Sequence, residues 1–221
     1  MELLLRAREL ALTSMLVAYP DEEFVDTLPE LQIERLPAAV RPLLVLARDE
    51  GVDAVRARWI DLFDRGQGRA SLYETEFGRM RGMSKGNDLA DLAGFYAAFG
   101  LTLADGTHDT HDHLAIELEF YAMLLTKRAL LTNVRDETGC AIVDDARRKF
   151  LVDHVGGFVP ALAARVADDI AYGPLLAWCA QLVAAECREL AVEPSALDYF
   201  SREEDRSELR CGSLPTLGCG R

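Results

Sequence analysis

The sequence has too little positive charge to favour nucleic acid as a partner. It holds 24 Lys and Arg against 37 Asp and Glu, which gives a net charge of -13 at pH 7. A polyanion would be repelled unless a local basic patch overrode this field. A basic peptide would be attracted, so the charge favours that class of partner.

Long apolar runs are also missing. No stretch approaches the roughly 18 to 20 apolar residues of a membrane span. The apolar N-terminal segment is interrupted by Glu2, Arg6, Arg8 and Glu9, so it lacks the continuous core of a secretory signal. The 5 cysteines form an odd count without framework spacing, as expected of reduced thiols. We therefore expect a cytoplasmic chain.

The alternation of apolar and polar residues that marks a half-buried strand is absent, whereas helical periodicity recurs almost throughout. With 221 residues, 50% of them hydrophobic, the chain can bury one full core. We predict an all-α fold, a single helical-bundle domain over residues 1–193, and a polar, poorly ordered tail over residues 194–221. The predicted helices cover about residues 2–18, 52–63, 88–99, 112–132, 141–154, 159–170 and 175–190.

The usual catalytic motifs are not found. The sequence has no Gly-x-Ser-x-Gly, no phosphate-binding Gly-x-x-x-x-Gly-Lys-Ser/Thr and no dinucleotide-type Gly-x-Gly-x-x-Gly. Cys211 and Cys219 are too far apart for the usual zinc pair. An acidic helical domain without such motifs is more typical of a binding protein than of an enzyme, and we predict no cofactor or metal of its own.

Histidines and acids are concentrated just before the longest predicted helix. His108, Asp112 and His113 suggest the His-x-His-x-Asp-His pattern of metal-dependent hydrolases, but Thr110 replaces its second histidine. A metal site here would use His108, His111, His113 and Asp112. A catalytic zinc site needs about three protein ligands. A metal-dependent hydrolase is therefore kept as an alternative function, beside a general helical adaptor protein.

The helix that follows begins with Asp112 as a predicted N-cap and is apolar on nearly all sides, which indicates a buried helix. At least one of Glu117 and Glu119 should then lie near the core or line a cleft. A buried carboxylate needs a partner, and His113, one turn before Glu117, is the expected one.

Four segments in this order carry a resemblance to a known family. The chain resembles the TorD/DmsD/NarJ-type cytoplasmic chaperones, which mature molybdenum enzymes of the dimethyl sulfoxide reductase family. The segments are Tyr73-Glu-Thr-Glu-Phe77, Leu89-Ala-Asp-Leu-Ala-Gly-Phe-Tyr-Ala-Ala-Phe-Gly-Leu101, Asp112-His-Leu-Ala-Ile-Glu-Leu-Glu-Phe120 and Phe150-Leu-Val-Asp-His-Val-Gly-Gly-Phe158.

The resemblance implies a chaperone that is not itself an enzyme. Such a protein binds the twin-arginine signal peptide and the apo catalytic subunit of a molybdoenzyme until molybdopterin is inserted. The client then carries the cofactor, and the chaperone is a monomer or a homodimer. The client's identity and any nucleotide binding stay open.

A receptor for a basic and apolar peptide needs carboxylates beside an apolar channel. We predict that Asp112 and Glu117 bind the arginine pair, with His113 orienting a carboxylate. The family's motifs differ here at Thr110, where a Pro is common, and at Phe158, where a Trp is common. The predicted peptide-binding residues are Tyr73, Glu74, Phe77, Asp112, His113, Glu117, Glu119 and Tyr121, with Asp153 and His154 as a possible second cluster.

Overall fold

The structure, a computed structural model, describes residues 2–21, 24, 35–64, 69–78, 85–104 and 106–197. Within these residues there are helices, turns and loops but no strand, which confirms the predicted all-α fold. No helix in this part is both long and apolar enough to cross a membrane. The helices are α1 (Glu2–Val17), α2 (Arg41–Glu50), α3 (Val52–Phe63), a 3₁₀ turn (Glu74–Glu76), α4 (Lys85–Ala98), α5 (Leu114–Asn133), α6 (Glu137–Phe150), a π-helical turn (Leu151–Val155), α7 (Gly156–Arg165) and α8 (Tyr172–Leu190).

Helix α5 is the centre of the fold, as its apolar composition predicts. Leu114, Leu118, Leu124 and Leu125 on it are fully buried. Helix α1 packs along one side of α5 and α6 along another, while α7 packs on α8. Each of these leucines contributes about 1.5 to 3 kcal/mol to folding through loss of apolar surface from water, so α5 is a rigid base for the polar residues at its start.

The start of α5 differs from the prediction in one respect. The N-cap is His113, whose Nδ1 accepts a hydrogen bond from the backbone N–H of Ala115 at 3.2 Å. Asp112, the predicted cap, points elsewhere and binds a different segment. A histidine ring nitrogen can serve as the acceptor because it reaches the N–H of the first helical turn in the same way as a short acidic side chain.

The two helices predicted over about residues 141–154 and 159–170 are not separated at the glycine pair Gly156-Gly157 between them. Helix α6 continues through the π-helical turn directly into α7. The glycines are required by close packing instead: a Cβ on Gly156 would lie 2.1 Å from the Leu151 carbonyl oxygen, and one on Gly157 would lie 2.2 Å from the Ser195 oxygen. The strap of residues 194–197 therefore packs on the helix.

This packing changes the predicted boundary of the C-terminal tail. Pro194, Ser195 and Leu197 lie against Gly156 and Gly157, and Leu197 also approaches Gly78 at 3.6 Å from where its Cβ would be. Residues 198–221, the rest of the predicted tail, lie outside the described residues. The strap joins the end of α8 to the segment that carries Phe77.

Replacing Gly157 with alanine should destabilise the protein by about 1 to 3 kcal/mol, the range for forcing a methyl group into a packed site. The matched change Gly94→Ala lies on α4, where nothing is within 4 Å of the added Cβ. It should stabilise the protein by about 0.5 to 1 kcal/mol because alanine favours the helix. Urea unfolding at 25 °C measures both, and equal effects would contradict the role of the strap.

Candidate functional site

The segment before the 3₁₀ turn pairs with the residues that lead into α5. The backbone N–H of Leu114 donates to the Leu72 carbonyl at 2.8 Å, and the N–H of Glu74 donates to the Asp112 carbonyl at 2.9 Å. Tyr73 and His113 form a single antiparallel bridge between these two hydrogen bonds. Two of the sequence segments that carry the family resemblance are thereby held side by side.

Asp112 fixes this pairing with its side chain. The carboxylate is fully buried, and its Oδ2 accepts hydrogen bonds from the hydroxyl of Thr75 at 2.5 Å and from the Thr75 backbone N–H at 3.3 Å. Its Oδ1 accepts a hydrogen bond from the hydroxyl of Thr110. Hydrogen bonds to a charged acceptor are stronger than hydrogen bonds to a neutral one. The Asp112 side chain therefore holds the two segments together.

The π-helical turn brings His154 to the same place. Its Nδ1 lies 3.0 Å from Oε2 of Glu74, and its Nε2 lies 3.4 Å from Oδ2 of Asp91 on α4. Burial alone would lower the pKa of His154, but the hydrogen bond to Glu74 and the charges of Glu74, Asp91 and Asp153 outweigh it and raise the pKa. Single π-helical turns are rare and often occur at functional sites.

Glu117 is the exception in this group of carboxylates. It is fully buried, and neither of its carboxyl oxygens has a hydrogen-bond partner of normal geometry in the described part of the chain. Burial, the charges of Glu74 and Asp112 and the facing carboxyl of Glu74 raise its pKa well above the usual value. The prediction that His113 pairs with Glu117 is not met, since His113 caps α5 instead.

Aromatic side chains surround this group, which we call the acidic cluster (Glu74, Asp112, Glu117 and His154). The rings of Tyr73 and His113 are 4.9 Å apart, those of Phe77 and Phe158 are 4.8 Å apart, and the Phe95 ring lies 5.5 Å from that of His154. All three are edge-to-face contacts, a favourable geometry for aromatic pairs. Phe158, at a position where the sequence analysis expects a tryptophan in the family, packs on Phe77.

Three residues predicted for the site lie apart from the cluster. Glu119 and Asp153 are exposed. Tyr121 is buried and donates its hydroxyl hydrogen bond to Glu186 on α8 at 2.9 Å. Tyr121 therefore belongs to a second polar group.

That second group is a buried ion-pair network that the sequence analysis missed. Arg147 is 2% exposed and Glu186 is fully buried, and their side chains meet at 2.5 Å. Arg6 on α1 also pairs with Glu186, and Arg147 pairs with Asp144 at 2.8 Å. The network joins α1, α6 and α8. The run Arg147-Arg-Lys gives no sign of it, because such a run usually marks a solvated helix face.

The histidines of the alternative metal site are used differently. His108 is exposed, the ring of His111 stacks on Tyr96 at 5.7 Å, and His113 caps α5. Across the described ranges no group of three or more His, Cys, Asp or Glu side chains is arranged to hold a metal ion. The hydrolase pattern therefore has no geometric support among these residues.

An open groove of about 450 Å³ lies between α4, α5 and α6. Its apolar wall includes Ile142, which is 60% exposed. Phe95 contributes to the groove and also contacts His154, so the groove and the acidic cluster are adjacent. The lining residues are Phe95, Ala98, Phe99, Lys127, Leu131, Asp136, Gly139, Ile142, Val143, Asp145, Ala146 and Lys149.

Comparison with known proteins assigns this chain to a family. A family model described as nitrate reductase delta subunit matches residues 32–164, which include the acidic cluster and the segments of the predicted resemblance. This chain belongs to the nitrate reductase delta subunit family. The predicted relationship is therefore confirmed.

Two relatives of this family member are named as assembly chaperones of reductases. The chlorate reductase assembly chaperone protein of Ideonella dechloratans is 34% identical over 133 residues, which are 57% of this chain and 66% of that protein. The selenate reductase assembly chaperone protein of Thauera selenatis is 32% identical over 130 residues, which are 56% of this chain and 65% of that protein. The matches thus span slightly less than two thirds of the relatives' length.

A solved structure from Archaeoglobus fulgidus, assigned to redox enzyme maturation, is 20% identical to this family member. The match covers 84% of this chain and 93% of that one, with a TM-score of 0.42.

The stability of this family member should fall as pH rises, through Glu117. A carboxyl whose pKa is raised by folding favours the folded state fully below its unfolded pKa of about 4.3, and this contribution is lost as pH rises through the folded value. We expect Glu117→Gln to increase the free energy of unfolding at pH 8 by on the order of 1 kcal/mol or more and to have little effect near pH 4.5.

The measurement is urea unfolding between pH 4.5 and pH 8. The control Glu50→Gln removes the same charge from an exposed side chain at the end of α2 and should leave the pH dependence unchanged. The raised pKa of His154 gives a slope of the same sign at higher pH, and that slope should survive in the Glu117→Gln protein. A Gln variant that is less stable than the wild type at pH 8 would contradict the burial argument.

Proposed function

We propose that this protein is an assembly chaperone for the catalytic subunit of a molybdenum-containing reductase. Family membership and the names of the chlorate and selenate reductase relatives support this role. The chaperone holds the apo subunit until molybdopterin is inserted. It is not an enzyme in this role and has no cofactor of its own, since the cofactor belongs to the client.

The partner segment is the client's twin-arginine signal peptide, which is bound in the cytoplasm before export. A leader of this kind has a basic end followed by an apolar stretch. One observation carries this proposal: the acidic cluster and the apolar groove are adjacent. Phe95 lines the groove and its ring contacts His154 of the cluster. The net charge of -13 adds a long-range attraction for the basic end.

The residues divide into two roles in this proposal. Asp112 and His113 are occupied by Thr75 and by the start of α5, so they hold the wall of the site in shape. Tyr73 and Phe77 are also buried and support the same wall. Charge recognition is left to Glu74 and Glu117 inside the cluster and to the exposed Glu119 outside it.

Affinity capture tests the chaperone role. The tagged full-length protein, expressed in its native host and purified from the cytoplasmic fraction, should retain a molybdoenzyme catalytic subunit that is identified by mass spectrometry. A client whose leader has been deleted should be retained more weakly. Recovery of the leader-deleted client at the same level would contradict leader binding, and the absence of any molybdoenzyme subunit would contradict the chaperone role itself.

The apolar groove should contribute to leader affinity through Ile142. An aspartate at this position places a charge in the apolar wall, and we expect Ile142→Asp to weaken peptide binding about tenfold, or about 1.4 kcal/mol. The control is Ile60→Asp on α3, a residue that is similarly exposed at 47% but does not line the groove. Fluorescence anisotropy with a labelled peptide of two arginines and an apolar stretch measures both, and equal losses would exclude the groove.

A further inference from the structure

The carboxylates of the acidic cluster differ in how their charge is compensated. Asp112 accepts hydrogen bonds from Thr75 and Thr110 on both oxygens. Glu74 faces His154 at 3.0 Å. Glu117 alone in the cluster has two buried oxygens without a hydrogen-bond donor among the described residues.

An uncompensated carboxyl at the centre of a protein is costly, because burial removes its hydration and nothing replaces it. The described chain gives Glu117 no ion pair, and the group that faces it is the carboxyl of Glu74, which is itself acidic. The fully buried Glu186, by contrast, has both hydrogen-bond donors and ion pairs. The group that satisfies Glu117 must bring hydrogen-bond donors and positive charge, because Glu74 and Asp112 already make the surroundings negative. A guanidinium meets both needs with its planar pair of N–H donors.

We propose that Glu117 is the acceptor for an arginine side chain of the client leader, and that the arginine displaces the carboxyl proton of Glu117 when it binds. The O–H bond of the carboxyl breaks, the proton leaves to the buffer, and the carboxylate forms an ion pair with the guanidinium. This inference rests on the proposed function and makes leader binding a proton-linked step. The raised pKa of Glu117 supports a protonated carboxyl in the free protein.

Helix α4 provides the route to this buried acceptor. Of its residues only Leu92 and Tyr96 are buried, and the Tyr96 hydroxyl donates a hydrogen bond to the His111 carbonyl at 2.8 Å. Asp91 on α4, with a side chain that is 60% exposed, contacts His154, which in turn contacts Glu74. Asp91 at the surface is thus linked through His154 to Glu74, whose carboxyl faces Glu117. In this proposal the arginine reaches Glu117 through an outward movement of α4.

The titratable groups around Glu117 come from several elements. Glu74 belongs to the 3₁₀ turn, Asp112 precedes α5, and Tyr96 lies on α4, where the charges of Glu117, Glu74 and Asp112 add to burial in raising its pKa. His154 stands behind Glu74 on the π-helical turn. Helix α1 packs along α5 and near this end contributes the uncharged Ser14, whose hydroxyl donates to the Ala115 carbonyl at 2.7 Å. His154 is therefore the one other group of the cluster that can release a proton near neutral pH.

Titration calorimetry with the full-length protein tests the proposal. The probe is a synthetic peptide with two adjacent arginines and an apolar stretch, titrated at pH 7 in phosphate and in Tris, whose ionisation enthalpies differ. The wild type should release close to one proton per peptide, and its affinity should rise about tenfold per pH unit over the range in which Glu117 is protonated. The Glu117→Gln protein should release none through this site and bind at least about tenfold more weakly.

Two further variants identify the source of the proton. His154→Gln should still release a proton, whereas loss of the release in this variant would assign it to His154 and overturn the proposal. The Glu50→Gln control should behave as the wild type. A thermal melt confirms that each variant is folded.

The remaining outcomes separate this inference from the chaperone role. Equal affinity and equal proton release in the wild type and in Glu117→Gln would overturn the inference, while leader binding stands. If the arginine peptide does not bind but a reductase subunit is captured from the native host, the inference and leader recognition both fall and the chaperone role remains. Failure of both experiments removes the proposed function as well.

Discussion

The short pairing between residues 72–75 and residues 112–114 is the constraint on which the site depends. Its hydrogen bonds, from Leu114 to Leu72 and from Glu74 to Asp112, join a loop to the first turn of the central helix. Helix packing alone does not fix this pairing, since residues 72–75 lie outside the long helices and residues 112 and 113 precede α5. The Asp112 carboxylate holds the pairing because it binds Thr75 through backbone and side chain at once. Glu74 is thereby turned towards His154.

Burying several acidic groups together has an electrostatic cost, and the protein compensates each of them differently. Asp112 accepts hydrogen bonds from Thr75 and Thr110, Glu74 faces an imidazole, and burial raises the pKa of Glu117 well above its usual value. The ion-pair network around Arg147 and Glu186 shows that this fold can satisfy a buried carboxylate completely when only structure is at stake. A buried carboxyl without a partner in the protein lowers its stability, and such a residue is expected at a site that binds a ligand.

The fold followed from the sequence, and the residues of the cluster were among its candidates, with His154 assigned to a separate group, but the contacts between them did not follow from it. Helical periodicity and a run of apolar residues on all sides were enough to find α5 and to expect at least one of Glu117 and Glu119 near the core or in a cleft; the structure buries Glu117. The partners could not be found in this way, because Thr75 binds Asp112 and His154 binds Glu74 through contacts between residues that are far apart in sequence. Gly156 and Gly157 were misread as a helix end for the same reason: their role is to admit Pro194 and Ser195, a requirement that local sequence does not reveal.

The position of Phe95 implies that the two halves of the proposed site do not act independently. Its ring lines the apolar groove and also packs on the rings of Phe150 and His154, each at 5.5 Å. A ligand that fills the groove presses on Phe95, and any shift of that ring alters the surroundings of His154 and therefore of Glu74. Displacement of α4 by a basic side chain at Glu117 would in turn move Phe95, because both Phe95 and the Tyr96 that covers the cluster belong to α4. In the proposed function, the apolar and basic parts of one leader would therefore act through the same helix. A peptide that has only one of these parts should then bind with less than that part's contribution to the binding free energy of the whole leader.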